Sequence, residues 1–126
     1  MALKLEEMPN RNLSPTELDS ANELLNLIRS RLKALSGDDS ELLFAYRRKI
    51  AKELGYDERS KPMIRRKLKT LKRKDQNGRC ALCPEPLPAK YAVLDRVRAC
   101  DGYTAENTRL ICETCDRKVQ LERGYR

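Results

Sequence analysis

The sequence predicts an α+β fold, in which an N-terminal helical segment of about three helices precedes a small unit made of a cysteine knuckle, a β-hairpin and a C-terminal helix. Three observations lead to this prediction. Apolar residues recur at helical spacing up to residue 75, two closely spaced cysteine pairs follow, and an alternating segment lies between the pairs. We therefore divide the 126 residues into a flexible leader (1–13), a helical region (14–75) and a cysteine-bearing domain (76–126).

The first predicted helix has clear boundaries. Ser14 is a good N-cap, Pro15 suits the first helical position, and Glu17 completes a capping box. A stripe of apolar residues three and four apart then runs to Ser36-Gly37, where the helix should end; its members are Leu18, Ala21, Leu25, Ile28, Leu32 and Leu35. This heptad seam either packs on the rest of the same chain or pairs two copies as a homodimer through the Leu18–Leu35 helix.

Two further helices complete the helical region. The second is expected from Glu41 to Leu54, after the cap Asp38-Asp39-Ser40, with Gly55 ending it and Tyr56–Arg59 forming a turn. Its apolar face comprises Leu42, Leu43, Tyr46, Ile50 and Leu54. The third begins near Ser60 or Lys61, carries Pro62 in its first turn and runs to about Lys74. Three of its residues should point inward, namely Ile64, Leu68 and Leu71.

Charge is concentrated in the second half of the chain. Residues 1–60 carry 10 Lys/Arg against 11 Asp/Glu, whereas residues 61–126 carry 17 against 8, and the whole chain has a net charge of +8. Such a field attracts phosphate backbones or anionic membrane surfaces. No apolar run reaches the roughly 18 residues that span a bilayer, and the N-terminus does not resemble a signal peptide. We therefore expect an intracellular, cytoplasmic protein that does not contact membranes.

The third helix is the most basic segment. Eight of its 14 residues from Lys61 to Lys74 are Lys or Arg, and no acidic residue occurs before Asp75. The run could be a solvated face, and the preceding turn could belong to a helix-turn-helix reader. Because mixed-sign pairs are absent, we favour contact with nucleic acid, and DNA in particular. The expected contacts are Arg65, Arg66, Lys67, Lys69, Lys72, Arg73 and Lys74.

Four cysteines form two pairs with the spacing C-x2-C-x28-C-x2-C, namely Cys80, Cys83, Cys112 and Cys115. A two-residue gap lets both thiolates of a pair face one ion, and two pairs complete the tetrahedral shell of structural zinc. Buried unliganded thiols, occasional disulfides and an iron-sulfur cluster are the alternatives. Cys100 has no partner spacing and is expected to be free. The odd count of five, without an export signal, argues against a disulfide framework.

The residues between and after the pairs predict the rest of the zinc unit. Tyr91–Arg98 alternates as a strand, Asp101-Gly102 is a turn signal, and Asp116–Glu122 begins the final helix, whose first turn carries the second pair. A knuckle followed by a hairpin and a helix of this kind is a treble-clef arrangement.

Residues 76–118 resemble the HNH endonucleases, the ββα-metal nucleases with added zinc knuckles. The similar text is Gln76-Asn-Gly-Arg-Cys-Ala-Leu-Cys83, Leu94-Asp-Arg-Val97, Asp101-Gly-Tyr103 and Glu106-Asn-Thr-Arg-Leu-Ile-Cys-Glu-Thr-Cys-Asp-Arg-Lys118. The resemblance implies that Asp95 takes the place of the family's metal-binding Asp and Asn107 that of its orienting Asn. Arg96 then stands where the general-base His belongs, and Asp116 where the final His ligand belongs.

The chain contains no histidine. Arginine stays protonated, so Arg96 cannot act as a general base near neutral pH. Asp95 and Asp116 could still hold Mg²⁺ or Mn²⁺. We therefore predict a degenerate relative that binds nucleic acid, with added contacts from Arg96, Arg98, Arg117, Lys118 and Arg123. The alternatives are an active metal-dependent endonuclease using Asp95, Asn107 and Asp116, and a zinc-stabilised module for a protein partner.

Overall fold

The computed structural model describes residues 10–124 and confirms the α+β class. The elements are α1 (Pro15–Ser36), α2 (Ser40–Arg59), α3 (Pro62–Asp75), β1 (Val93–Arg96), a 3₁₀ turn (Ala99–Asp101), β2 (Thr108–Ile111) and α4 (Glu113–Glu122). They form two compact units, of which one comprises residues 11–57 and the other residues 58–124 together with Asn10. Most of the expected leader, residues 1–9, lies outside the described residues.

Helix α1 begins where predicted, because capping interactions at its N-terminus fix its first turn. The Ser14 hydroxyl accepts the Glu17 backbone N–H at 3.2 Å, and the Glu17 carboxylate accepts the Ser14 backbone N–H at 2.9 Å. Arg11 adds an ion pair with Glu17 at 2.7 Å. At the other end Gly37 has a positive φ of 58° and donates its N–H to the Lys33 carbonyl. Both ends of α1 are thus fixed by neighbours in sequence.

The apolar stripe of α1 is mostly uncovered. Leu32 is its one buried member among the described residues, whereas Leu18, Leu25 and Leu35 keep 50%, 41% and 59% of their surface exposed. Helix α2 has no buried residue, although Leu43, Tyr46 and Ile50 are half-buried. Of the six positions in the stripe, Leu32 is therefore buried, Ile28 is half-buried and the other four are exposed.

The predicted end of α2 at Gly55 is wrong. The helix continues through the residues expected to form a turn and ends at Arg59. One glycine costs a helix only about 1 kcal/mol relative to alanine, which neighbouring turns can absorb. The stop comes from Pro62, because the residue before a proline avoids the helical region. Lys61 is accordingly extended, and Ser60 takes a positive φ of 61°.

The hydrophobic core of the second unit surrounds a two-stranded antiparallel sheet. Leu94 of β1 lies opposite Leu110 of β2, and Leu110 and Ile111 are fully buried. Leu87, Ala92 and two of the paired cysteines complete the cluster. Leu68 of α3 packs against it, whereas Ile64 and Leu71, which were also expected to point inward, remain exposed. The contact of α3 with this core is therefore narrow.

Hydrogen bonds, in addition to the narrow apolar contact, attach α3 to the second unit. The Gln76 side chain donates to the carbonyls of Arg79 and Leu110 and accepts the Leu110 N–H at 2.9 Å. It therefore bonds to both backbone polar groups of Leu110, as a residue of a neighbouring strand does. Lys72 donates to the Ala105 carbonyl, and Arg73 donates to the Pro88 carbonyl at 2.8 Å. These contacts group α3 with the cysteine-bearing unit, whereas the predicted division after residue 75 places it with α1 and α2.

None of the described helices combines the length and the apolar character that crossing a membrane requires.

Candidate metal centre and basic groove

The four predicted zinc ligands converge. The sulfur atoms of Cys80, Cys83, Cys112 and Cys115 all lie within 4.8 Å of one another, and those of Cys83 and Cys112 are 3.8 Å apart. Four sulfurs at a Zn–S distance of about 2.3 Å stand roughly 3.8 Å apart along the edges of a tetrahedron. No disulfide joins them, and all five cysteines are free. The cluster therefore has the composition and the size that a structural zinc ion requires.

Two different elements present the two pairs. The first pair lies in a knuckle that is closed by a bridge between Arg79 and Pro86 and by a hydrogen bond from the Cys80 N–H to the Glu85 carbonyl at 3.0 Å. In the second pair Cys112 is the N-cap of α4 and Cys115 lies in its first turn. Residues three apart at a helix start share one face, so both thiols point to the same centre.

The local environment separates the acidities of the thiols. Burial opposes ionisation of Cys80, but hydrogen bonds from the backbone N–H groups of Cys112 and Leu82 outweigh it and lower the pKa to about 6. Burial, together with the neighbouring thiols of Cys112 and Cys83, raises the pKa of Cys115 to about 12. Four thiolates so close repel one another, and a divalent cation is the group that would stabilise them together.

Asp95 lies in a buried cluster of ion pairs with two arginines. Only 4% of its surface is exposed, and Arg123 binds both of its carboxylate oxygens, at 2.9 and 3.3 Å. The Nε of Arg109 donates to the second oxygen at 3.0 Å. The two guanidinium groups already compensate the charge of this carboxylate, which removes the attraction that a Mg²⁺ or Mn²⁺ ion would need. Arg123 is buried in this cluster, so the expectation that it contacts nucleic acid is wrong.

Asn107 also has a structural task. Its side-chain amide donates to the carbonyls of Arg98 at 2.7 Å and Gly102 at 2.6 Å, and its side-chain oxygen accepts the Arg98 N–H at 3.0 Å. These bonds close the loop between the strands around the 3₁₀ turn. Both amide hydrogens of Asn107 and its side-chain oxygen are thus engaged within this loop.

Asp116 and Arg96 line one cavity of about 350 Å³ together with Asp95 and Arg123. Asp116 accepts a hydrogen bond from Gln120 at 3.1 Å. The Arg96 guanidinium donates to the Ala99 carbonyl and lies 4.8 Å from the centre of the Tyr103 ring. Asp95, Arg96 and Asp116 thus lie at one cavity, but two arginines bind the carboxylate that would have to hold the ion.

The predicted nucleic-acid residues divide into two groups. Arg65, Lys72, Arg73 and Arg96 are half-buried and donate to backbone carbonyls, while Arg98 and Arg117 pair with Asp101 and Glu113. The exposed group has no hydrogen bond or ion pair to its side chains among the described residues. Its members are Arg66, Lys67, Lys69, Lys74 and Lys118.

A second cavity, of about 580 Å³, lies between α3 and the segment that leads into β1. Four cationic side chains line it, namely Arg59, Arg65, Arg66 and Lys69. Tyr91 and Tyr103 line it as well, and its one acidic residue, Glu113, forms an ion pair with Arg117 at 2.6 Å. We call this cavity the basic groove.

No match was found among protein-family models, curated proteins or solved structures. The resemblance to HNH endonucleases therefore rests on the residues of this chain alone. Sequence reasoning missed Arg59 and both tyrosines of the basic groove, because they lie far apart along the chain. It also missed the Asp95–Arg123 pair, since nothing near either residue indicates a partner 28 positions away.

Proposed function

We propose that this chain is a zinc-stabilised nucleic-acid-binding protein, with DNA as the expected partner. Its second unit would be a treble clef of the HNH type that has lost catalysis. The observation that carries the proposal is the exposed cationic surface of α3, which is fixed to the cysteine-bearing unit. Because the backbone of α3 is already ordered, binding of its cations to phosphates costs side-chain freedom but no backbone ordering.

The contacts of α3 determine which of its faces is open. Leu68 points to the core, and Lys72, Arg73 and Gln76 anchor the C-terminal half of the helix. At about 100° per residue, the exposed cations fall on the side opposite Leu68. They are Arg66, Lys67, Lys69 and Lys74. No acidic side chain interrupts α3 before Asp75, so the surface repels other cations and attracts a polyanion.

Nuclease activity finds no comparable support. The general base is absent, since Arg96 stands in its place and is stacked on Tyr103. Asp95 is neutralised by Arg123 and Arg109, and Asn107 is committed to its loop. The former catalytic positions have become internal ion pairs and turn contacts, which suits a scaffold that binds without cleaving.

A triple substitution in α3, with a matched control, tests the proposal. We expect Lys67→Gln/Lys69→Gln/Lys74→Gln to weaken binding to duplex DNA and to make the dependence on salt shallower, because each lost phosphate contact removes about 0.9 from the log–log slope. The control Arg29→Gln/Arg31→Gln/Lys33→Gln removes the same charge from α1. Fluorescence anisotropy across salt concentrations measures both. Equal losses in the two variants, or a wild type that binds neither duplex nor single-stranded nucleic acid, would refute the proposal.

We also propose that α1 pairs with α1 of a second copy. Its seam keeps heptad spacing over about three repeats, and Leu18, Leu25 and Leu35 are exposed in the single chain. A parallel helix of the same sequence would offer the complementary apolar stripe. A dimer would present two basic helices to one nucleic acid and so raise its avidity.

A further inference from the structure

Tyr91 is an unusual residue on the rim of the basic groove. Its side chain keeps 85% of its surface exposed, more than any other large apolar or aromatic residue described. Its backbone has φ +68°, a conformation that bulky side chains rarely adopt. A residue held in such a conformation costs free energy, and residues of this kind cluster at binding sites.

The backbone around Tyr91 is fixed on both sides. Arg73 of α3 holds the Pro88 carbonyl at 2.8 Å, and Ala92, the next residue, is buried in the core. The ring therefore extends from an anchored position instead of a loose loop. Neither the core nor the rest of the second unit covers it, so its apolar faces meet solvent.

The second tyrosine of the groove is already occupied. The Tyr103 ring has the guanidinium of Arg96 at 4.8 Å from its centre and that of Arg65 at 5.9 Å. Arg65 is itself held by the carbonyls of Arg59 and Ser60. These contacts shape the floor of the groove and leave Tyr91 as the ring that is free to accept a flat ligand.

We propose that Tyr91 is a stacking platform for an unpaired nucleobase, so that the preferred ligand is single-stranded nucleic acid. The inference rests on the proposed function and specifies its ligand. Arg59, Arg66 and Lys69 in the groove would contact the phosphates on either side of the stacked base. In an intact duplex the base faces are covered by their neighbours and cannot reach the ring. Single-stranded DNA and single-stranded RNA share the required chemistry.

The test compares labelled single strands of about 16 nucleotides, as DNA and as RNA, with the DNA duplex of the same sequence. The informative variant is Tyr91→Asn, because asparagine tolerates positive φ and removes the ring without adding strain. Tyr91→Phe keeps the stacking face. Phe44→Ala is the matched control, since Phe44 is an exposed aromatic residue that does not line the groove. Fluorescence anisotropy gives the affinities, and thermal melting monitors the fold.

Tyr91→Asn should weaken single-strand binding about fivefold to 150-fold, which corresponds to the usual contribution of one stacked base, and should change duplex binding less than about twofold. Tyr91→Phe and Phe44→Ala should bind single strands as the wild type does, and melting should be unchanged or higher for Tyr91→Asn. The strand that binds with the higher affinity, DNA or RNA, shows which type of nucleic acid the protein prefers.

Two negative results separate the claims. Unchanged single-strand affinity in Tyr91→Asn, with the α3 triple variant still weakened, would overturn the stacking role and leave the proposed function intact. If the wild type binds neither single strands nor the duplex, the proposed function itself is wrong and the stacking role with it.

Discussion

The two units of this chain obtain order in opposite ways. Residues 11–57 contain the 22 residues of α1 and most of the 20 residues of α2, yet Leu32 is their one buried apolar residue. Residues 58–124 contain helices of 14 and ten residues and two strands of four residues, and they hold nearly the whole described core. The amount of regular secondary structure in a unit therefore does not determine how much hydrophobic core it contains. A few long-range links can organise a short, irregular segment, while long regular helices leave their apolar faces without a cover.

Substitution of the candidate metal ligands should have the largest effect on the difference between the two units. We expect Cys80→Ser or Cys112→Ser to unfold residues 58–124, because apparent zinc-binding free energies of about 10–16 kcal/mol exceed what so small a core supplies. Helix α3 should lose its packing too, while signals from α1 persist. Two-dimensional NMR spectra of the variants follow the two units separately.

Cys100→Ser is the control for these variants. Cys100 is exposed and lies outside the cluster. The NMR spectrum and the melting temperature of the Cys100→Ser protein should therefore match those of the wild type. A Cys80→Ser protein that melts as the wild type does would show that the cluster is not a structural metal site.

The next effect concerns the buried ion cluster. Asp95→Ala leaves Arg123 buried without its counter-charge and should destabilise the second unit by about 3–5 kcal/mol. Asp116→Ala, in the same cavity, should cost less than about 0.5 kcal/mol, because Asp116 is partly exposed and accepts one hydrogen bond from Gln120. Urea unfolding measures both. Metal-dependent plasmid nicking that both substitutions abolish, without loss of stability, would restore the nuclease alternative.

The first unit offers a change in assembly rather than in folding. Leu25→Glu places a charge in the heptad seam and should convert a dimer to a monomer, whereas Leu27→Glu lies off the seam and should not. Leu25 and Leu27 are both exposed in the single chain, so neither substitution should unfold it. Sedimentation velocity gives the mass. A wild type that is monomeric at every concentration tested would contradict pairing through α1.

The smallest effect lies at the start of α1. The Arg11 guanidinium, followed by the Ser14 backbone and hydroxyl, lowers the pKa of Glu17 from 4.5 to about 2. Because the folded pKa is depressed, the contribution of Glu17 is complete above pH 4.5 and is lost as the pH falls toward 2. Glu17→Gln should remove that pH dependence, as judged from the amide signals of the first turn. An unchanged profile in Glu17→Gln would assign the effect to another group.

The difference between the units also explains what could be predicted. The bounds of α1 follow from Ser14, Pro15, Glu17 and Gly37, all of which act on near neighbours in sequence. The four-cysteine cluster was predictable because the spacing of the two pairs is itself the signal. The end of α2 was missed because the effect of Pro62 outweighs that of Gly55.

The contacts of other candidate residues could not be predicted, for a different reason. Asp95 matches a catalytic pattern, but its actual role depends on Arg123, which reaches it only in the folded unit. Lys72 and Arg73 match a nucleic-acid surface, yet they bind carbonyls of loops that α3 meets only after folding. Charge and motif thus identify candidates, and tertiary contacts decide which of them are available.

Elemental analysis of untagged protein, before and after treatment with a chelator, tests the central claim most directly. We expect about one zinc per chain, and its removal should coincide with unfolding of residues 58–124 while the α1 signals persist. A second unit that stays folded with no bound metal would contradict the account, as would stoichiometric iron with the visible absorbance of a cluster.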